Sequence, residues 1–145
     1  MKEKENEHII FLNLIYQNAE MGILGIDNVL GKVESSKISK IIESQRKEYE
    51  DICKHAREIL LAYGAKEEEI GKVKELASKL MTEAMTINAD DKKIVKLMME
   101  GNEKGAVAIQ EKLNAYQEQD EEIVSLAEKL LATTEHNREE FKKYL

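Results

Sequence analysis

The sequence predicts an all-α protein built as a bundle of long helices, and three observations carry that expectation. No proline occurs in 145 residues, so no position removes a backbone donor or forces a kink. Charged residues make up 35% of the chain and aromatics only 5%, with no tryptophan, a balance that suits solvated helices better than a sheet. Apolar residues recur at 3–4 spacing along nearly the whole chain, the period of a helix with a face turned to a core. At this length a single domain, residues 1–145, buries a substantial core without disulfides or a metal staple.

Helix A, over residues 7–33, carries two apolar stripes. Ile9, Leu12, Tyr16, Ala19, Ile23, Ile26, Leu30 and Val33 form one, and Ile10, Leu14, Met21 and Leu24 the other, with Asn13, Gln17, Glu20 and Asp27 between them. A helix on the outside of a bundle needs one apolar face, so the second must be covered by another element or another chain. Helix B, over 37–63, has Ser35 or Ser36 as N-cap and Gly64 as its left-handed terminator. Its seam is Ile38, Ile42, Gln45, Tyr49, Ile52, Ala56, Ile59 and Tyr63. Helix C, over 67–87, is shorter, opens with acids that complement the helix dipole, and aligns Ile70, Val73, Ala77, Leu80, Ala84 and Ile87. Residues 88–91 break and recap the chain. Helix D, over 91–117, presents Ile94, Leu97, Met98, Gly101, Gly105, Ala108, Ile109 and Tyr116, while Val95, Met99, Ala106 and Leu113 repeat the second-stripe pattern of helix A. Asp120 caps helix E, whose face is Ile123, Ala127, Leu130, Thr134, Asn137, Phe141 and Tyr144.

At 1.5 Å per residue four of these helices reach roughly 40 Å and helix C about 30 Å. A long pair, a shorter helical return and a second long pair predict a ferritin-like four-helix bundle with one helical crossover, five helices in all; an up-down bundle of five helices uses the same segments.

A net charge of -7 with no basic stripe argues against nucleic acid and against an anionic membrane as partners. Cys53 is alone and pairs with no second cysteine, and the start MKEKENEH lacks the basic and apolar regions of a secretory signal, so a cytoplasmic location is expected. Asn13, Gln17, Asn18 and Glu20 interrupt helix A, which therefore reads as a buried core helix rather than a membrane span.

A di-iron bundle needs inward Glu residues and inward Glu-x-x-His pairs. The inward polar residues here are Gln45, Lys112, Thr134 and Asn137, and the only Glu-x-x-His runs from Glu5 to His8 at the N-terminus, while His136 lies off its helix's stripe. No cofactor is expected on this ground. Glu20, Glu48, Asp51 and His55 border the seams of helices A and B and are the candidates for a mononuclear Fe, Zn or Mn site; the alternative is a solvated face on which Asp51 pairs with His55.

Gly101, Gly105 and Ala108 place small residues on the core face of helix D. Each helical glycine costs about 1 kcal/mol relative to alanine, so something large should fill the space opposite. Tyr16 and Tyr49 lie at comparable heights. Either their rings pack on the glycine backbone, or they and Gln45 line a pocket with Gly101 and Gly105 for a small apolar ligand. Met81, Met85, Met98 and Met99 read as filler between helices C and D or as an adaptable groove, and Cys53 as a small buried hydrophobe.

The stretches NLIYQNAEMG at 13–22, GIDNVL at 25–30 and LMMEGNEKG at 97–105, with Glu48-Tyr49-Glu50 and residues 126–131, resemble a group of small uncharacterised bacterial helical-bundle proteins that are distantly similar to the ferritin-like superfamily. The resemblance implies a soluble bacterial bundle and brings no catalytic residues. The leading functional expectation is a non-enzymatic module for self-association, as a homodimer or with a protein partner, through the outer apolar faces of helices A and D. A ferritin-like metal-binding or redox protein is the alternative, and a binder of small apolar ligands the third.

Overall fold

In the computed structural model the described residues are 2–68 and 90–145, with side chains from residue 7 onward, and they form four α-helices and no strand. These are α1 (Lys2–Val29), followed by a 3₁₀ turn (Leu30–Lys32), α2 (Ser36–Ala62), α3 (Asp91–Ala115) and α4 (Glu121–Lys142). They correspond to helices A, B, D and E. Helix C, with Met81 and Met85, lies outside the described residues apart from Glu67 and Glu68.

Local chemistry sets the ends. Ser35 Oγ accepts from Ile38 N at 3.3 Å, Asp90 Oδ1 from Lys93 N at 2.8 Å, and Asp120 Oδ1 from Glu122 N and Ile123 N at 3.0 and 3.3 Å. Gly64, at φ +75°, closes α2 while Ala65 N donates to Leu60 O at 2.9 Å, satisfying carbonyls that the helix leaves open. Helix A stops four residues short of its expected end because the backbone tightens into the 3₁₀ turn and Val33 is extended.

The direction of each helix follows from contacts at the two ends of the bundle. Asp91, in the first turn of α3, accepts from Glu34 N and Ser35 N, both at 2.9 Å, so α3 starts beside the α1–α2 turn. It finishes where α1 begins, with the Tyr116 ring 5.1 Å from Phe11. The Tyr63 hydroxyl at the end of α2 donates to Asp120 at the start of α4. The chain therefore runs up, down, down and up. It leaves α2 at the end where α1 begins and enters α3 at the end where α1 finishes. Glu68 is pinned to α1, its N–H donating to Asn13 Oδ1 at 2.7 Å and its carbonyl accepting from Gln17 Nε2 at 3.2 Å.

α1 packs against α2, α3 and α4 alike, and this explains its burial. The expected stripe is buried at Leu12, Tyr16, Ala19 and Ile26, but Phe11, Ile15 and Val29 are fully buried as well. A helix with three neighbours has more than one inward side, so the row 11, 15, 29 that belongs to neither expected stripe also enters the core. Helices B and E match their predicted seams closely: Ile38, Ile42, Gln45, Tyr49, Ile52, Ala56 and Ile59 are buried on α2, and Ile123, Ala127, Leu130, Thr134, Asn137 and Phe141 on α4. α3 is rotated relative to expectation. Val95, assigned to its outer face, is fully buried, and Ala108, assigned to its seam, is exposed.

By length and composition the segment Glu7–Lys32 is apolar enough to cross a membrane, an 18-residue stretch within it having a mean hydropathy of 1.4. Of the polar interruptions that suggested otherwise, Asn13, Gln17, Asn18 and Glu20, only Glu20 is charged, and the apolar residues around them outweigh all four in the mean. In the bundle 39% of the apolar window is buried against the other helices.

Candidate functional site

Where α1 meets α3 both helices carry small residues, Gly22 and Gly25 on one and Gly101 and Gly105 on the other, and a cavity of about 550 Å³ opens between them. Its apolar wall comes from Leu14 and Met21, both from the second stripe of helix A, and from Leu97 and Met98. Tyr49 from α2 and Thr134 from α4 close its far side.

Polar groups gather around the Tyr49 hydroxyl. Tyr49 is 2% exposed, and its O–H donates to Asn102 Oδ1 at 3.1 Å. Burial pushes its phenol up to about 12, against the opposing influence of the neighbouring Asn137 and Thr134 side chains, so the ring keeps its proton at neutral pH. Thr134 Oγ1 is committed to Leu130 O at 3.0 Å. Among the described residues the buried amide nitrogens Asn102 Nδ2 and Asn137 Nδ2 make no hydrogen bond. On the opposite wall Asn18 Nδ2 donates to the Gly105 carbonyl at 3.0 Å. Lys104 contributes the single charge among the described lining residues, and none of them is a carboxylate, although the chain has 29.

Three of the five expected pocket residues, Tyr49, Gly101 and Gly105, meet here. Tyr16 does not line the cavity. The cavity row on α1 is Leu14, Asn18, Met21 and Gly25, and Tyr16 is two residues from the first two of these, about 200° away around the helix. Its ring instead lies 5.7 Å from the Arg57 guanidinium. Gln45 also stays apart, one turn before Tyr49 on α2; it is 1% exposed, and neither amide atom hydrogen-bonds among the described residues. The expected packing of a tyrosine on glycine does occur, but at Gly22: a Cβ built there falls 2.7 Å from Tyr49 Cε2. At Gly101 an added Cβ meets nothing within 4 Å. Gly101→Ala is therefore expected to stabilise the fold by about 0.5–1 kcal/mol through helix propensity alone. A urea midpoint at or below that of the parent protein would contradict this.

The Leu14, Asn18, Met21, Gly25 row and Asn102 escaped sequence reasoning. The signals were present as the unexplained second stripe of helix A and the amide inside GNEKG, but only the crossing of α1 over α3 brings them together.

The expected metal quartet is not assembled. Glu20 Oε1 accepts from the Cys53 thiol at 3.6 Å, His55 Nε2 lies 3.4 Å from Glu122 on α4 rather than pairing with Asp51, and Asp51 itself is exposed. Among the described residues no group of three or more His, Cys, Asp and Glu side chains could hold a metal ion. Burial first, then Glu20, pushes the Cys53 thiol up to about 12 and keeps it a protonated donor.

A second polar cluster lies where the four helix ends meet. His8 Nδ1 pairs with the Tyr116 hydroxyl, the His8 and Tyr63 rings are 5.0 Å apart, and Tyr63 donates to Asp120. Burial pushes the Tyr63 and Tyr116 phenols up. Sequence reasoning missed this cluster, because its members are far apart in sequence and join only when the bundle closes.

The Tyr63 hydrogen bond, followed by the N–H groups of Ile123 and Glu122, holds the Asp120 carboxyl below its ordinary value of 3.8. A depressed folded pKa contributes stability that is present above the unfolded value and lost as pH falls through the folded one. Thermal melts between pH 5 and 2 should show acid destabilisation below about pH 4 that is shallower in Asp120→Asn. Parallel curves for the two proteins would refute this role. Asp120→Ala removes the cap as well, at an expected cost of about 1–2 kcal/mol.

No family model, curated protein or solved structure matches the chain.

Proposed function

We propose that this chain binds a small, largely apolar molecule in the cavity between α1 and α3. The observation that carries the reading is the cavity itself: about 550 Å³, mostly apolar, with a few polar groups from all four helices around it, which is the usual make-up of a small-molecule site. Ligand binding is placed ahead of self-association because Leu14 and Met21, from the stripe that needed covering by another element or another chain, line this cavity. The up-down-down-up course of the four helices supports a ferritin-like, single-crossover bundle as the scaffold.

The test is a thermal-shift screen with small apolar compounds on the parent protein and on Gly101→Phe, which places a ring at the cavity wall where an added Cβ meets nothing. A ligand present at a hundred times its Kd should stabilise the parent by about 2.7 kcal/mol and leave Gly101→Phe unchanged. Equal shifts in both proteins, or none in either, would remove the reading.

A further inference from the structure

The lining of the cavity between α1 and α3 grades from buried to exposed, and that gradient gives it a mouth. Tyr49, Met98 and Thr134 are buried, whereas Gly101 and Lys104, neighbours one turn apart on α3, are exposed. An added Cβ at Gly101 meets nothing within 4 Å, so the solvent side is open there. A long ligand entering this way has one end against the Tyr49 and Thr134 side and the other beside Lys104. At roughly 30 Å³ for each heavy atom, a ten-carbon chain takes about 300 Å³. The cavity, at about 550 Å³, has room for it.

The two ends differ in chemistry. On the far side the hydroxyl protons are already used, that of Tyr49 on Asn102 Oδ1 at 3.1 Å and that of Thr134 on Leu130 O at 3.0 Å, so these groups have only oxygen lone pairs left. A carboxylate, which only accepts, gains no proton from them, and burying it there is unfavourable against leaving it in water. An apolar tail meets no such penalty, because Leu14, Met21, Leu97 and Met98 supply its walls. At the mouth the conditions are reversed. Lys104 carries the single charge among the described lining residues, no carboxylate lines the cavity beside it, and it takes part in no ion pair among the described residues. Its neighbour Glu103 faces Arg138 on α4 at 3.9 Å instead. A head group held here stays in contact with water and avoids the desolvation cost of a buried charge. The net charge of -7 opposes anions at long range, but that field is screened beyond about 10 Å in 0.1 M salt, so the charge nearest the head decides.

We infer that the cavity takes a single-chain amphiphile with an anionic head, of the fatty-carboxylate kind, its tail against the buried walls and its head at the mouth beside the Lys104 ammonium. This rests on the reading of the cavity as a small-molecule site and goes beyond it by naming the charge of the head, the direction in which the molecule lies and the residue that selects it.

Three probes of matched length, decanoate, 1-decanol and decylamine, test it by calorimetric titration of the full chain at neutral pH and below their aggregation concentrations. One exposed charge contact shifts affinity by a few-fold, so decanoate should bind about threefold tighter than 1-decanol and about tenfold tighter than decylamine. Lys104→Met should remove the advantage of decanoate over 1-decanol, and Lys104→Glu should reverse the order of the two ions. Both variants should leave 1-decanol within about twofold of its parent affinity, because its tail occupies the same walls and its head carries no charge. A variant that merely loosened the bundle would weaken all three probes together, without that reversal. Failure of every probe to bind the parent would overturn the cavity reading and the head-group inference together. Binding of all three, abolished by Gly101→Phe but with an order that ignores head charge or survives Lys104→Glu, would leave the cavity reading intact and overturn the inference. Tighter binding of decylamine than of decanoate by the parent would overturn it as well.

Discussion

Replacing Tyr49 by alanine is expected to destabilise the protein by about 3–5 kcal/mol, the usual cost of deleting a buried aromatic ring. That is a large part of the roughly 5–15 kcal/mol that holds a typical domain together. The ring is 2% exposed, lies against the bare backbone of Gly22 and forms one wall of the cavity, so its loss merges a new void with space already open. Little can collapse into the gap, because α1 is held on its other sides by α2 and α4. The hydroxyl contributes separately. Tyr49→Phe keeps the ring but strips Asn102 Oδ1 of its donor, at an expected cost of about 1–3 kcal/mol. Urea denaturation of the two variants separates the effects; equal midpoints for Tyr49→Ala and the parent would show that the ring is not packed as described.

Gly22→Leu is the second large effect, expected to cost about 1–3 kcal/mol or more through overpacking. A Cβ at Gly22 would stand 2.7, 2.9 and 3.0 Å from three atoms of the Tyr49 ring, distances at which one of the two helices must move. The better helix propensity of leucine offsets only about 1 kcal/mol of this. Gly101 lies across the same cavity with open space around it, so a side chain there is accommodated. The two glycines should therefore respond with opposite signs: a lower melting temperature for Gly22→Leu and a higher one for Gly101→Ala. If both rose, the close approach of Tyr49 to α1 would be wrong.

Legibility in the sequence tracked how nearly the burial of each helix keeps to one apolar row. On α2 and α4 the 3–4 spacing identifies most of the core residues from Ile38 to Ile59 and from Ile123 to Phe141, leaving out Leu126 and Thr133 on α4 and Leu60 at the end of α2. α1 buries more than one side, and its two expected stripes leave out Phe11, Ile15 and Val29. α3 holds glycines where its seam was expected, and without side chains to mark orientation the phase of its inward face shifted toward Val95. At the candidate site, Tyr49, Gly101 and Gly105 could be anticipated because an aromatic ring and two mid-helix glycines each need an explanation. Asn18 and Asn102 could not, since an amide on a helix surface reads as solvated until another helix is laid across it.

By itself the sequence determined the all-α class without proline, a cap at Ser35 or Ser36, a break and recap within residues 88–91, the cap at Asp120, the terminator at Gly64, and the amphipathic faces of α2 and α4. These depend on interactions within a few residues, or on a period repeated along one helix, and such information is local. Tertiary structure alone decided that α3 starts beside the α1–α2 turn, that Tyr49 meets Gly22 rather than Gly101, and that His8 joins Tyr63, Tyr116 and Asp120. It also decided that Glu20 and His55 go to different partners. Each of these depends on how one helix is rotated and shifted against another, which the packing of whole faces sets. No short-range pattern contains that information, and the cavity between α1 and α3 is the space which that packing leaves.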